Sequence, residues 1–62
     1  MWKHKKRGTT YDIVSHGTFQ ISENKYDNLD VVVYRCRETG HVWVRPNKEF
    51  YDGRFVEVAY GE

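Results

Sequence analysis

The stretch V-V-V-Y-R-C-R-E-T-G-H-V-W-V-R-P, Val31 to Pro46, decides the fold of this chain. Two runs rich in β-branched and aromatic residues flank a polar Glu38-Thr39-Gly40 connection, which reads as a β-hairpin. In the first run Val32, Tyr34 and Cys36 share one face and Val31, Val33, Arg35 and Arg37 the other, and three consecutive valines imply burial on both sides. In the second run Val42 and Val44 face one way and His41, Trp43 and Arg45 the other. Pro46 removes a donor and should end regular pairing.

Outward from the hairpin, the pattern stays β-like. Thr9 to Ile21 is broken at His16-Gly17, which predicts either two short strands around a turn or one strand with a bulge. Tyr11 and Ile13 share a face there, and the alternation would resume with Phe19 and Ile21, leaving Thr18 and Gln20 in water. Ser22 to Asn28 has the residue types of an exposed loop. Beyond Pro46, Asn47 to Asp52 fits a single helical turn, Asp52-Gly53 a tight turn, and Phe55 to Tyr60 a last strand. Gly8, Gly17, Gly40 and Gly53 read as turn glycines. About five short strands in so small a chain should curl, because an open flat sheet would leave its edges exposed. The expected class is therefore mainly β: a small curled antiparallel sheet, an SH3-like, partly closed barrel with one short helical turn before the last strand.

With 62 residues the chain is expected to form one domain, spanning residues 1–62, with residues 1–7 a basic and flexible start. At this size a core rarely contributes more than roughly 3 to 5 kcal/mol of net stability. A single cysteine, Cys36, excludes an internal disulfide, and the three histidines lack zinc-ligand spacing. Aromatic packing must then carry the core, and two Trp, five Tyr and three Phe are available for it. The formal net charge of +1 is not the global basicity of a protein that binds chiefly by neutralising phosphates. The cations are unevenly spread, however: Lys3, Lys5, Lys6 and Arg7 cluster around His4, whereas acids are scattered from Asp12 onward. No apolar run approaches a membrane span, and the basic start is not followed by the apolar core of a signal peptide. A cytoplasmic location is the expectation, with which a free cysteine agrees.

The order of several short pieces resembles a known family. Trp2-Lys3-His4-Lys5, Gly8 followed by Tyr11, Val32-Val33-Tyr34-Arg35, and Trp43-Val44-Arg45-Pro46 with Phe50 and Phe55 behind it are similar to a family of small bacterial and phage proteins described as a domain of unknown function. The likeness runs over nearly the whole chain. It departs in the lone Cys36, in a short ending, and in Trp2 where the family pattern has tyrosine. The resemblance implies a bacterial or phage source and brings no catalytic residues with it.

Candidate site residues fall into two groups. Trp43 and Arg45, with His41 on the same face and Arg35 or Arg37 approaching across the hairpin, would anchor a partner protein, since Trp, Tyr and Arg dominate binding hot spots. The competing structural role, and the weightier one for Trp43, is burial in the core with Arg45 paired to Glu49 or Glu57. Lys3, Lys5, Lys6 and Arg7 would contact successive phosphates while Tyr34 or Trp43 stacks a base. Their structural alternative is a frayed, solvated terminus. A metal on His4, His16, His41 or Cys36 is disfavoured by spacing, and no cofactor is indicated. Asp12, Asp27, Asp30, Glu38, Glu49 and Glu57 form no evident acid-base pair. The functional expectation is a non-enzymatic binding module, a phage or prophage accessory protein acting on a host protein. Nucleic-acid binding through the basic start is the alternative, and self-association through an unpaired strand edge the third reading.

Overall fold

A computed structural model describes residues 1–23 and 25–60. Five strands, β1 (Trp2–His4), β2 (Thr10–Phe19), β3 (Leu29–Cys36), β4 (Val42–Pro46) and β5 (Phe55–Glu57), form one antiparallel sheet in the order β4-β3-β2-β1-β5, with the helical turn α1 (Asn47–Phe50) between β4 and β5. This is the expected mainly β, curled arrangement, with the helical turn before the final strand. The sheet does not close: β4 and β5 lie at opposite ends of the strand order and are not paired. The gap between them is an open seam.

The β3–β4 hairpin forms as the sequence implies. Tyr34 pairs with Trp43 and Val32 with Arg45, while Val33 meets Val44 and Val31 meets Pro46. Gly40, at φ 77°, takes the left-handed conformation that closes the turn, and its N–H donates to the Cys36 carbonyl at 2.8 Å. Both faces of β3 are used, with Val31, Val32, Tyr34 and Cys36 buried and Val33 half-buried.

Several expectations are corrected. The break in β2 lies between Ile13 and Ser15, so His16 and Gly17 continue the strand opposite Val32 and Val31. Gly17 is therefore a strand residue and not a turn glycine. Because a bulge inserts one residue, it reverses the alternation beyond it, and Phe19 comes onto the outer face opposite Leu29, 42% exposed. Ile21 lies beyond the strand, its N–H bonded to Asp27 Oδ1 at 3.1 Å. The last strand is shorter than Phe55 to Tyr60, ending at Glu57. Finally, the basic start is structured in part as β1, which lies between β2 and β5. Trp2 is the reason: its indole meets Phe50 edge-on at 5.3 Å and Tyr51 at 5.6 Å, while Met1 and Val58 exchange backbone hydrogen bonds.

The core sits on the inner face and is largely aromatic: Tyr11, Val32, Tyr34, Cys36, Phe50 and Phe55, with Trp2 and Ile13 packed against it. Phe50, delivered by α1, is fully buried, stacks on Phe55 at 4.4 Å and meets Tyr34 edge-on at 5.2 Å. The helical turn thus plugs a sheet too short to close on itself. His16 Nε2 lies 3.0 Å from the Tyr51 hydroxyl and ties β2 to the residue after α1.

Candidate binding surface at the open seam

The seam brings together side chains that are remote in sequence. Trp43 and Arg45 project from β4 onto the inner face, because their partners Tyr34 and Val32 are inner-face residues. No strand covers β4 on its far side, so Trp43 stays 44% exposed. The expectation that Trp43 is a core residue is overturned for that reason. Its ring rests on His41, with centroids 4.1 Å apart. Across the seam, β1 and the following turn supply His4, Lys5, Lys6 and Arg7, and the turn before β5 supplies Arg54.

Two hollows follow from this placement. A small one of about 60 Å³ is lined by His4, Arg7, Tyr11, Tyr34, Trp43, Arg45 and Phe55. Beside it opens a cleft of about 680 Å³ lined by His4, Lys5, Lys6, Arg7, Arg45 and Arg54. The two groups of candidate residues, hairpin and N-terminal cluster, thus converge on one surface. Lys3 lies apart, bordering a different hollow with Gly8, Thr10, Glu38 and Val58.

Arg45 is held firmly. Its Nε donates to the Tyr34 hydroxyl at 3.1 Å, its guanidinium lies 5.7 Å from the Phe55 ring centre, and Nη1 is 3.5 Å from Glu49 Oε1. Above all the Tyr34 bond, and secondarily nearby Tyr34, Glu49 and Asp52, raise its pKa above the ordinary guanidinium value. The expected pairing with Glu49 is present. Glu49 also takes Arg54 Nη1 at 3.0 Å, and Arg54 Nε lies 3.2 Å from Asp52. Among the described residues Lys5, Lys6 and Arg7 have no such carboxylate partner, which leaves their charge facing the cleft.

His4 is the inner wall of this cleft. Its Nδ1 accepts the Arg7 N–H at 3.2 Å and its ring meets Phe55 edge-on at 4.9 Å. Burial there, then the charges of Arg7, Arg45, Arg54 and Lys6, hold its pKa below the ordinary imidazole value.

Besides Lys3, three candidates present no exposed binding group at the seam. Tyr34 is 4% exposed and cannot stack a base, because its ring is packed between Tyr11, Phe50 and Phe55. Arg35 pairs with Val42 and so belongs to the outer face, away from Trp43. Arg37 is tied to Asp12 at 2.9 Å and lies over the Tyr60 ring at 5.2 Å. Sequence reasoning missed Arg54, and no local motif marks it; only the turn at Gly53 carries it to the seam. Sequence reasoning also missed the outer-face shelf of Phe19, Leu29, Val31, Val44 and Pro46, which the bulge in β2 creates.

Chemically the surface offers, among the described residues, unpaired cations beside an exposed indole, groups suited to binding. No group of three His, Cys, Asp or Glu side chains among the described residues is placed to hold a metal ion, and no described helix is long and apolar enough to cross a membrane. Glu38, whose pKa is lowered mainly by the Thr10 hydroxyl and the Cys36 thiol, is engaged in those bonds. Compared with known proteins, the chain matches no family model, no curated protein and no solved structure.

Proposed function

We propose that this protein is a non-enzymatic binding module that engages a protein partner through the seam, with Trp43 as the anchoring side chain. The observation that carries this is an exposed tryptophan on an unpaired edge strand, between Val42 and Val44, which are 51% and 58% exposed. Large apolar side chains on a free edge are costly to leave in water and are the residue types from which binding hot spots are built. The resemblance to bacterial and phage proteins makes a bacterial host protein the first partner to seek.

The test compares wild type with Trp43→Ala. About half of the indole is already in water, so truncation should cost only about 1 to 2 kcal/mol of stability and leave the domain folded. Wild type should capture a partner from bacterial lysate saturably, and the folded variant should lose it. Absence of any saturable partner would refute the reading.

A second reading has its own observation in its favour. Lys5, Lys6 and Arg7 face an open cleft next to an exposed indole, an arrangement suited to a phosphate backbone with a stacked base. It ranks second because Arg45 and Arg54, the other cations of the cleft, are already paired with Glu49. Oligonucleotide binding would fall steeply with salt, and Lys5→Ala or Lys6→Ala would reduce the slope.

A further inference from the structure

Resting on the protein-binding reading, we infer that the partner is taken as an extended strand added to the free edge of β4, with acidic side chains on one face and apolar side chains on the other.

The backbone sets the first requirement. Cys36 N–H donates to the His41 carbonyl at 2.9 Å, which marks Cys36 and His41 as a hydrogen-bonded pair. Bonded and non-bonded pairs alternate along an antiparallel ladder, so Tyr34–Trp43 and Val32–Arg45 are bonded, whereas Arg35–Val42, Val33–Val44 and Val31–Pro46 are not. The N–H and C=O groups of Val42 and Val44 therefore point away from β3, toward the free edge. Pro46 falls in the same outward phase, where its missing N–H costs β3 no bond. An incoming strand would find paired donors and acceptors at Val42 and Val44 and a stop at Pro46.

Side chains set the second requirement. Those of an added strand alternate between the two faces of the sheet. On the inner face they would meet Trp43 and the cleft of Lys5, Lys6 and Arg7, which calls for carboxylates. On the outer face they would meet Val42, Val44 and Pro46, the apolar row of β4 in which both valines are exposed, which calls for apolar groups. Charge complementarity on one side and the apolar row of Val42, Val44 and Pro46 on the other specify an alternating acidic and apolar segment. A second copy of this chain is a poor occupant, since its own β4, V-W-V-R-P, carries no carboxylate to meet Lys5, Lys6 and Arg7.

The experiment uses the full chain, labelled with nitrogen-15, and a synthetic eight-residue peptide of alternating Glu and Val. Two control peptides accompany it: alternating Lys and Val, and the Glu-Val peptide carrying N-methyl groups on every second amide, prepared in both phases. The Glu-Val peptide should shift the Val42 and Val44 amide resonances and slow their hydrogen exchange at least tenfold. One N-methyl phase should lose binding while the other keeps it, and the Lys-Val peptide should bind at least tenfold more weakly. Binding that is indifferent to N-methyl phase, or that leaves the Val42 and Val44 amides unchanged, would overturn strand addition. Concentration-dependent self-association protecting the same amides would also overturn it in favour of a second copy. Capture of a partner that depends on Trp43 while these amides stay unprotected would overturn this inference alone, whereas failure to capture any partner would count against the reading beneath it.

Discussion

Replacement of Phe50 is the sharpest test of how this fold is held together. Phe50 is fully buried, stacked on Phe55 at 4.4 Å and in edge contact with Trp2, Tyr34 and Tyr51 at 5.3, 5.2 and 5.0 Å. Truncation to alanine removes a whole buried ring and leaves a cavity, a change that costs about 3 to 5 kcal/mol. A domain of this size has roughly 3 to 5 kcal/mol in all. Phe50→Ala should therefore be largely unfolded in buffer. Phe50→Leu keeps most of the apolar transfer term but loses the ring contacts, of which a well-placed aromatic pair contributes about 0.5 to 1.5 kcal/mol beyond its area. The contacts share one ring and do not add, so we expect a loss of about 1.5 to 2.5 kcal/mol. With a urea dependence near 1 kcal/mol per molar for so small a protein, the midpoint should fall by about 1.5 to 2.5 M with little change in slope. Equilibrium unfolding followed by far-ultraviolet circular dichroism reads this directly. A folded Phe50→Ala, together with a Phe50→Leu midpoint displaced by less than about 0.5 M, would refute the idea that α1 seals the core.

Two further predictions concern the seam and two glycines. The His4 pKa is lowered in the folded protein, so the folded state disfavours its protonated form; the stabilisation is complete above the ordinary value of 6.5 and is lost as pH falls below it toward the depressed folded value. A proton titration by NMR should place His4 below 6.5, and urea midpoints should fall between pH 7 and 5 in wild type but less in His4→Gln; a flat wild-type profile would contradict the geometry. Gly17 and Gly53 should respond oppositely to alanine. A Cβ at Gly17 would meet Val31 Cγ2 at an ordinary 3.9 Å without positive φ, so Gly17→Ala should be neutral or stabilising by up to about 1 kcal/mol. Gly53 sits at φ 103°, and Gly53→Ala should cost about 1 to 2 kcal/mol; thermal unfolding of both variants distinguishes them.

The sequence by itself determined the hairpin, because Val31 to Pro46 carries β-branched and aromatic runs on both sides of a turn whose glycine is left-handed. It placed Val32, Tyr34 and Cys36 on one face of β3 and a helical turn after Pro46 for local reasons, but which face of β3 is the core was decided by packing. Tertiary structure alone decided the rest. The pairing of Trp2–His4 between β2 and β5 joins residues more than fifty positions apart, and nothing local marks a three-residue strand. The bulge between Ile13 and Ser15 turned Phe19 outward, since one inserted residue reverses every side chain beyond it, and the residues at the bulge do not announce it. Trp43 is the clearest case. Its alternation grouped it with His41 and Arg45 on one face, yet which face that is, and whether it is covered, depends on the closure of a sheet by strands at the far ends of the chain. The sheet stays open there, and the same side chain that would have been core becomes the exposed wall of a cationic seam.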